Sequence, residues 1–258
     1  ENILKGSIKR HLRSDVPLGI YLSGGIDSTL ITLLASDVLG ASNIHTFSVG
    51  STVKSYDESI IANKTASILG TQHHNIVLSP EECLSSIVPL IDGLDEPLSD
   101  PGFLAISQVA KFASEYVKVV LSGDGGDELF YGYPPFYKWN AANKLDNVPS
   151  WVHRAIFRPL IDKLPDQYGY MGLLHKLKIF YRGVGYAKEV RNSRWIGSFM
   201  PEEIANLMVI GNKLESLNRE KYGVEEIYRH VINIHKNSNT GNEIQTLGYE
   251  YQQSFLPN

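Results

Sequence analysis

Leu18-Gly19-Ile20-Tyr21-Leu22-Ser23-Gly24-Gly25-Ile26-Asp27-Ser28 is the stretch whose reading decides the fold. A short, continuous, mainly apolar run that meets a glycine turn reads as a buried strand over Leu18 to Leu22. Directly beyond the turn, Ser28 to Leu39 carries Leu30, Ile31, Leu34 and Val38 on one helical face and stops at Gly40. Strand, glycine turn and helix therefore follow one another without a linker.

The same alternation continues outward. His45 to Val49 is predicted as a second strand closed by Gly50, and Asp57 to Leu69 as a second helix with Asp57 as N-cap and Gly70 past its end. Asn75 to Leu78 is a third strand, and Glu81 to Ile91 a helix bent at Pro89. Gly102 to Glu115 is a fourth helix and Val117 to Leu121 a fourth strand. Strands that alternate with helices demand crossover connections, so the expected fold is α/β, an open, mostly parallel, doubly wound sheet. After about Tyr137 strand-like runs cease, aromatic and basic residues interleave, and glycines recur at Gly169, Gly172, Gly183 and Gly185. Residues 1–137 are thus expected to form the α/β core and residues 138–258 a mainly helical extension.

The length of 258 residues suits one large domain or a domain with an appendage, and 43% hydrophobic residues exclude wholesale disorder. A net charge of −4 argues against a dedicated nucleic-acid or anionic-membrane binder. The charge is uneven, −8 over residues 1–137, +7 over 138–200 and −3 over 201–258. Cys83 alone excludes an intrachain disulfide and thiolate zinc sites. It falls inside a predicted helix and reads as a packed small hydrophobe. No apolar run reaches the roughly 18 residues of a membrane span, and the opening ENILKGSIKR lacks a signal-peptide layout, so a cytoplasmic location is the expectation.

The first turn carries chemistry. Two glycines permit positive φ and close approach of a ligand to the backbone, and the N-terminus of the following helix favours phosphate oxygens. Ser23 and Ser28 add hydroxyl donors. Asp27 would repel a bare phosphate, so its presence points to Mg²⁺ between carboxylate and pyrophosphate. No Gly-Lys-Ser/Thr follows, so this is not a Walker A loop. S-G-G-x-D-S resembles the pyrophosphate loop of the ATP pyrophosphatases, which cleave ATP between the α and β phosphates and adenylate a substrate.

A second motif, Leu121-Ser122-Gly123-Asp124-Gly125-Gly126-Asp127-Glu128-Leu129-Phe130, follows the fourth strand. Parallel sheets bind ligands at the carboxyl ends of their strands, and two carboxylates converging on phosphates are the usual protein share of a Mg²⁺ site. This segment resembles the asparagine synthetase family's L-S-G-[ED]-G-x-D-E-L-F-G-G-Y. Ser14-Asp15-Val16-Pro17, Thr46-Phe47-Ser48-Val49-Gly50, Leu69-Gly70-Thr71-Gln72-His73-His74 and Asp95-Glu96-Pro97-Leu98-Ser99-Asp100-Pro101 agree in order. The resemblance fades from about 138 to 245 and returns at Ser254-Phe255-Leu256-Pro257-Asn258.

The resemblance implies an adenine nucleotide α-hydrolase-like fold. It also implies roles: Leu22, Val49, Ser122 and Gly123 holding adenosine and its phosphates together with Ser23, Gly24, Gly25 and Ser28, Asp27 and Asp127 binding Mg²⁺, and Asp124 acting in formation of the acyl adenylate. The implied substrates are ATP, aspartate or another carboxylate, and ammonia. The family usually has glycine where Tyr131 stands, which is expected to narrow the adjacent pocket. Glutamine-dependent members begin with a glutaminase domain, the expected partner in the parent protein, and continue past this point to a lysine-bearing K-x-D-R segment. The chain therefore reads as a fragment of a longer protein; a homodimer is left open.

Other readings stay open at this point. Tyr131 and the divergent 138–245 region suit a relative that amidates a sugar acid or antibiotic precursor. The basic, aromatic 138–200 stretch, with Trp139, Tyr168, Tyr170, Tyr181, Tyr186 and Trp195, suits either buried aromatics in a helical body or an RNA platform of a tRNA-modifying enzyme. A nucleotide-binding regulator without catalysis is a third. His73 and His74, adjacent on a strand, point to opposite faces and cannot readily share a metal.

Overall fold

Ile20 and Leu22 are buried beneath layers on both sides of their strand, which is why the run lacks the polar alternation of a half-exposed strand. The structure, a computed structural model, describes residues 2–96, 98, 100, 102–165, 172–201, 203–204 and 227–256. The chain divides into two compact units, Glu1–Asp124 and Gly125–Asn258.

The first unit contains α1 (Asn2–His11), β1 (Leu18–Tyr21), α2 (Ile26–Leu39), β2 (His45–Ser51), α3 (Ser59–Leu69), β3 (Gln72–Leu78), α4 (Pro80–Asp92), α5 (Gly102–Ala113) and β4 (Val119–Leu121). The strands form one parallel sheet in the order β3-β2-β1-β4. Ile8, Leu12, Leu34 and Ala35 from α1 and α2 cover Ile20 and Ile44 on one face. Val109 and Ala113 of α5, with Val117, cover Phe47 on the other. Full burial of an Ile, Leu or Phe side chain stabilises by ~1.5–3 kcal/mol each, so the two apolar layers fix which side of each strand faces which helices. The sheet is open, parallel and doubly wound, as the alternation predicted.

Strand ends differ from the sequence expectation. β2 continues through Gly50, where another segment approaches so closely that a Cβ would lie 2.7 Å from Asp57 Oδ1. β3 begins at Gln72, because its polar start is held by ladder bonds from Gln72 N–H to the Ile44 carbonyl (2.9 Å) rather than by apolar burial. The histidines diverge as predicted. The His73 ring lies 2.9 Å from Thr46 Oγ1 and 3.1 Å from Ser48 Oγ. The His74 ring meets His45 at 2.9 Å, stacks against Phe47 and lies tilted against Tyr116. Both braces are structural. Cys83 is only half-buried in α4.

The second unit contains α6 (Gly126–Phe130), α7 (Pro134–Leu145), α8 (Ser150–Val152), a π-helical turn at His153–Phe157, α9 (Arg158–Asp162), α10 (Leu173–Gly183), α11 (Lys188–Ile196), α12 (Arg229–Asn237) and α13 (Glu243–Ser254). Its core gathers Phe136, Trp139, Ala142, Val184, Trp195, Leu247 and Tyr251. Arg191 and Arg194 are fully buried. Arg191 donates to Asn143 Oδ1 (2.8 Å) and to Asp146 Oδ1 (2.5 Å), with its guanidinium over Trp139. Arg194 stacks 3.6 Å above the Tyr186 ring. Trp139, Trp195, Arg191 and Arg194 of the basic, aromatic stretch thus serve as core and brace, while Lys144, Arg154, Lys163, Lys176 and Lys188 stay exposed; Tyr168 and Tyr170 lie outside the described residues.

Candidate functional site

The strand order reverses at β1. Connections from β1 run outward to β2 and β3, and the chain then returns to place β4 on the other side of β1. Such a reversal leaves a crevice at the carboxyl ends of the two flanking strands, where open α/β sheets bind ligands. Both glycine loops start there: one follows β1, the other β4, and Leu18, Gly19 and Ile20 pair with Val119, Val120 and Leu121.

The first loop is shaped by two different demands. Gly24 has φ 80°, and a Cβ there would lie 2.6 Å from Ile61 Cγ2 and 3.0 Å from the Ala62 nitrogen of α3. Gly25, by contrast, has φ −67° and ψ 165° at the N-cap of α2, a conformation open to any residue. Only one of the two predicted glycines therefore needs a left-handed backbone. Ser23 and Ser28, expected to add hydroxyl donors, also brace the loop itself. Ser28 Oγ lies 3.0 Å from Ser23 Oγ, accepts from Ser23 N–H and donates to the Gly25 carbonyl, while Gly25 N–H donates to Ser23 Oγ. Asp27, half-buried, sits in the first turn of α2, where a negative charge complements the helix dipole. Leu22 is buried and its N–H donates to the carbonyl of Phe47 (2.8 Å), two residues before Val49 on β2.

The second loop packs directly on the first. A Cβ on Gly123 would lie 3.0 Å from the Ser28 nitrogen and 3.2 Å from Asp27 Cβ. The missing side chain lets the backbone after β4 reach the first turn of α2. Ser122 Oγ donates to Asp124 Oδ2 (2.7 Å), which steers that exposed carboxylate. Burial, and then the charge of Asp124, push the nearby Tyr21 hydroxyl above its ordinary value. In the second unit, Asp127 lies in the first turn of α6, and a Cβ on Gly132 would overlap Asp127 Oδ1. Glu128 is buried and accepts from the Tyr133 hydroxyl (2.7 Å). Among the described residues, no group of three or more His, Cys, Asp or Glu side chains is arranged to hold a metal ion.

Tyr131 has φ 62° at the end of α6, which explains why a glycine would suit the position, and its ring turns into the helical core against Phe136 and Gly248. Sequence reading also passed over Gly132 and the bridging role of Asp57. A glycine two residues after a helix end was the available signal for Gly132, whereas the reach of Asp57 to β2 leaves none.

The family model for asparagine synthase matches residues 1–236. The chain belongs to that family. It is 37% identical to asparagine synthetase [glutamine-hydrolyzing] 1 of Bacillus subtilis over 150 residues, covering 58% of this chain and 23% of that protein. It is 37% identical to a putative asparagine synthetase [glutamine-hydrolyzing] 2 of Methanocaldococcus jannaschii over 184 residues, 70% of this chain and 35% of that one. The chain thus spans about a quarter to a third of the curated relatives it matches. Among solved structures, the NH3-dependent NAD synthetase of Campylobacter jejuni aligns over 90% of this chain and 91% of its own, at 16% identity and TM-score 0.39. No helix among the described residues is long and apolar enough to cross a membrane.

Proposed function

We propose that this family member is the synthetase part of an ATP-dependent amide-forming ligase, with Leu22, Ser23, Gly24, Gly25, Ser28, Val49, Ser122 and Gly123 forming the nucleotide site. The observation that carries the reading is the packing of Gly123 on the first turn of α2, at the reversal of strand order. There the amides at the N-terminus of α2 and the loop after β4 supply donors where phosphate oxygens would lie.

An acceptor carboxylate oxygen attacks the α-phosphorus of ATP, the bond to the β-phosphate oxygen breaks, and pyrophosphate leaves. Ammonia then attacks the acyl carbon, AMP departs, and the nitrogen gives up a proton to yield the amide. Asp27 and Asp127 are proposed as the carboxylates for Mg²⁺, which suits a site of two carboxylates because this ion keeps waters and phosphate oxygens in its shell. When bound, the ion neutralises the charge that builds on pyrophosphate. Asp124, held by Ser122, is proposed as the residue acting in adenylate formation. An exposed carboxylate there suits an acceptor that also carries an ammonium group, as aspartate does, so aspartate is the proposed acceptor. A glutaminase domain in the parent protein is the proposed source of ammonia.

The test is exchange of radiolabelled pyrophosphate into ATP by the intact protein across a panel of carboxylates. Exchange stimulated by aspartate supports the full reading. Exchange with a different acid moves the acceptor, and its absence with every acid while Mg·ATP still binds would favour a nucleotide-binding regulator.

A further inference from the structure

We propose that Asp57 is a positioning residue for the nucleotide site, tying the carboxyl end of β2 to the start of α3 and thereby setting the backbone of the loop at Gly24. The proposal rests on the nucleotide-site reading above. Asp57 Oδ1 accepts three hydrogen bonds: from Ser59 Oγ (2.6 Å), from Ser59 N–H (3.0 Å) and from Ser51 N–H (3.4 Å). The second gives an acceptor to one of the unpaired N-terminal amides of α3, from one residue before its N-cap Glu58; the helix starts at Ser59, so Asp57 is not itself the N-cap that the sequence predicted. The third reaches across to the last residue of β2, two positions beyond Val49.

The contacts on either side turn these bonds into a link. Gly50, between Val49 and Ser51, lies so close that a Cβ would meet Asp57 Oδ1 at 2.7 Å and Ser59 Cβ at 2.8 Å. One turn further along α3, Ile61 and Ala62 press on Gly24, whose φ of 80° depends on the space they leave. A single carboxylate thus fixes both the strand end proposed to meet adenosine and the helix that backs the proposed pyrophosphate loop. Ser59, buried beneath it, leaves little room for the turn to relax. The Ser59 hydroxyl and N–H, and then Ser51 N–H, hold the Asp57 carboxyl below the ordinary range.

The experiment measures the Kd of Mg·ATP and the binding stoichiometry by calorimetry for the intact protein and for Asp57→Ala, Asp57→Asn and Ser59→Ala. Asp57→Ala removes all three acceptor contacts and is expected to raise Kd about tenfold or more at unchanged stoichiometry. Partial unfolding alone would instead lower stoichiometry and leave Kd in place. Asp57→Asn retains an oxygen that accepts from the backbone donors and is expected to stay within about threefold of the parent. Should Asp57→Ala not fold, Ser59→Ala decides, with an expected rise between those two. An unchanged Kd in Asp57→Ala, or in Ser59→Ala if the former does not fold, overturns the proposal, as does an Asp57→Asn loss equal to that of Ala. Failure of the parent protein itself to bind Mg·ATP would instead bring down the underlying nucleotide-site reading.

Discussion

Gly24→Ala and Gly25→Ala place the same methyl group on adjacent residues of one loop, and the structure assigns them opposite outcomes. At Gly24 an L-residue must adopt φ 80°, which costs roughly 1–2 kcal/mol. The new Cβ also falls 2.6 Å from Ile61 Cγ2 and 3.0 Å from the Ala62 nitrogen, part of which is helix backbone that cannot rotate away. Overpacking of this kind adds about 1–3 kcal/mol, so the expected total is about 2–5 kcal/mol. At Gly25 the backbone is already extended and the nearest atom to a Cβ is the Ser23 hydroxyl at 3.2 Å. The remaining cost is a poorer N-cap, about 1 kcal/mol or less. Urea unfolding gives the part of each cost borne by stability, and calorimetry with Mg·ATP gives the part borne by binding. Their sum should exceed about 2 kcal/mol for Gly24→Ala, equivalent to roughly thirtyfold if all of it appears in affinity. If Gly24→Ala loses less than about 1 kcal/mol in both measurements, or if Gly25→Ala matches it, the argument from backbone geometry is wrong.

Three further outcomes follow from other parts of the molecule. Asp27→Asn should weaken Mg·ATP by at least the tenfold that ~1.4 kcal/mol represents, and unaltered calorimetric affinity would remove Asp27 from the metal site. Gly248→Ala should destabilise by about 1–3 kcal/mol through overlap with the Tyr131 ring, but become neutral or stabilising in a Tyr131→Gly background, where the methyl finds space and improves helix propensity; additive urea midpoints would refute the contact. Glu243 is pushed up by burial but held down at about 2 by hydrogen bonds from Lys188, Trp139 and Asn143. A carboxyl lowered on folding contributes stability that is present above its ordinary value of 4.5 and lost as pH falls from there toward about 2. Glu243→Gln should flatten the urea midpoint across that window, and an unchanged slope would count against the network.

The α/β architecture was legible because β1 and β4 are apolar runs ending in glycine loops, and burial on both faces leaves that mark on a sequence. The candidate loops were legible for the same reason. The reason for each glycine was not: Gly24 is required by its φ and by α3, Gly123 by the approach to Ser28, and Gly132 by Asp127. The demands on Gly24 and Gly123 come from segments distant in sequence. The start of β3 was missed because Gln72, His73 and His74 are polar and are held by ladder and side-chain hydrogen bonds. The role of the basic residues over 138–200 was ambiguous because the partners of Arg191, Asn143 and Asp146, lie on and just after α7, more than forty residues upstream. Composition reports the charges and not their pairing.

Adenylation of a carboxylate is the central claim, and the fate of a heavy-oxygen label tests it most directly. The intact protein is incubated with Mg·ATP, ammonia and aspartate labelled in its side-chain carboxylate, and the nucleotide and phosphate products are analysed by mass. Attack of the carboxylate at the α-phosphorus leaves one labelled oxygen in AMP when ammonia displaces it, with unlabelled pyrophosphate released. Label in inorganic phosphate, accompanied by ADP, would place the attack at the γ-phosphorus and contradict the account.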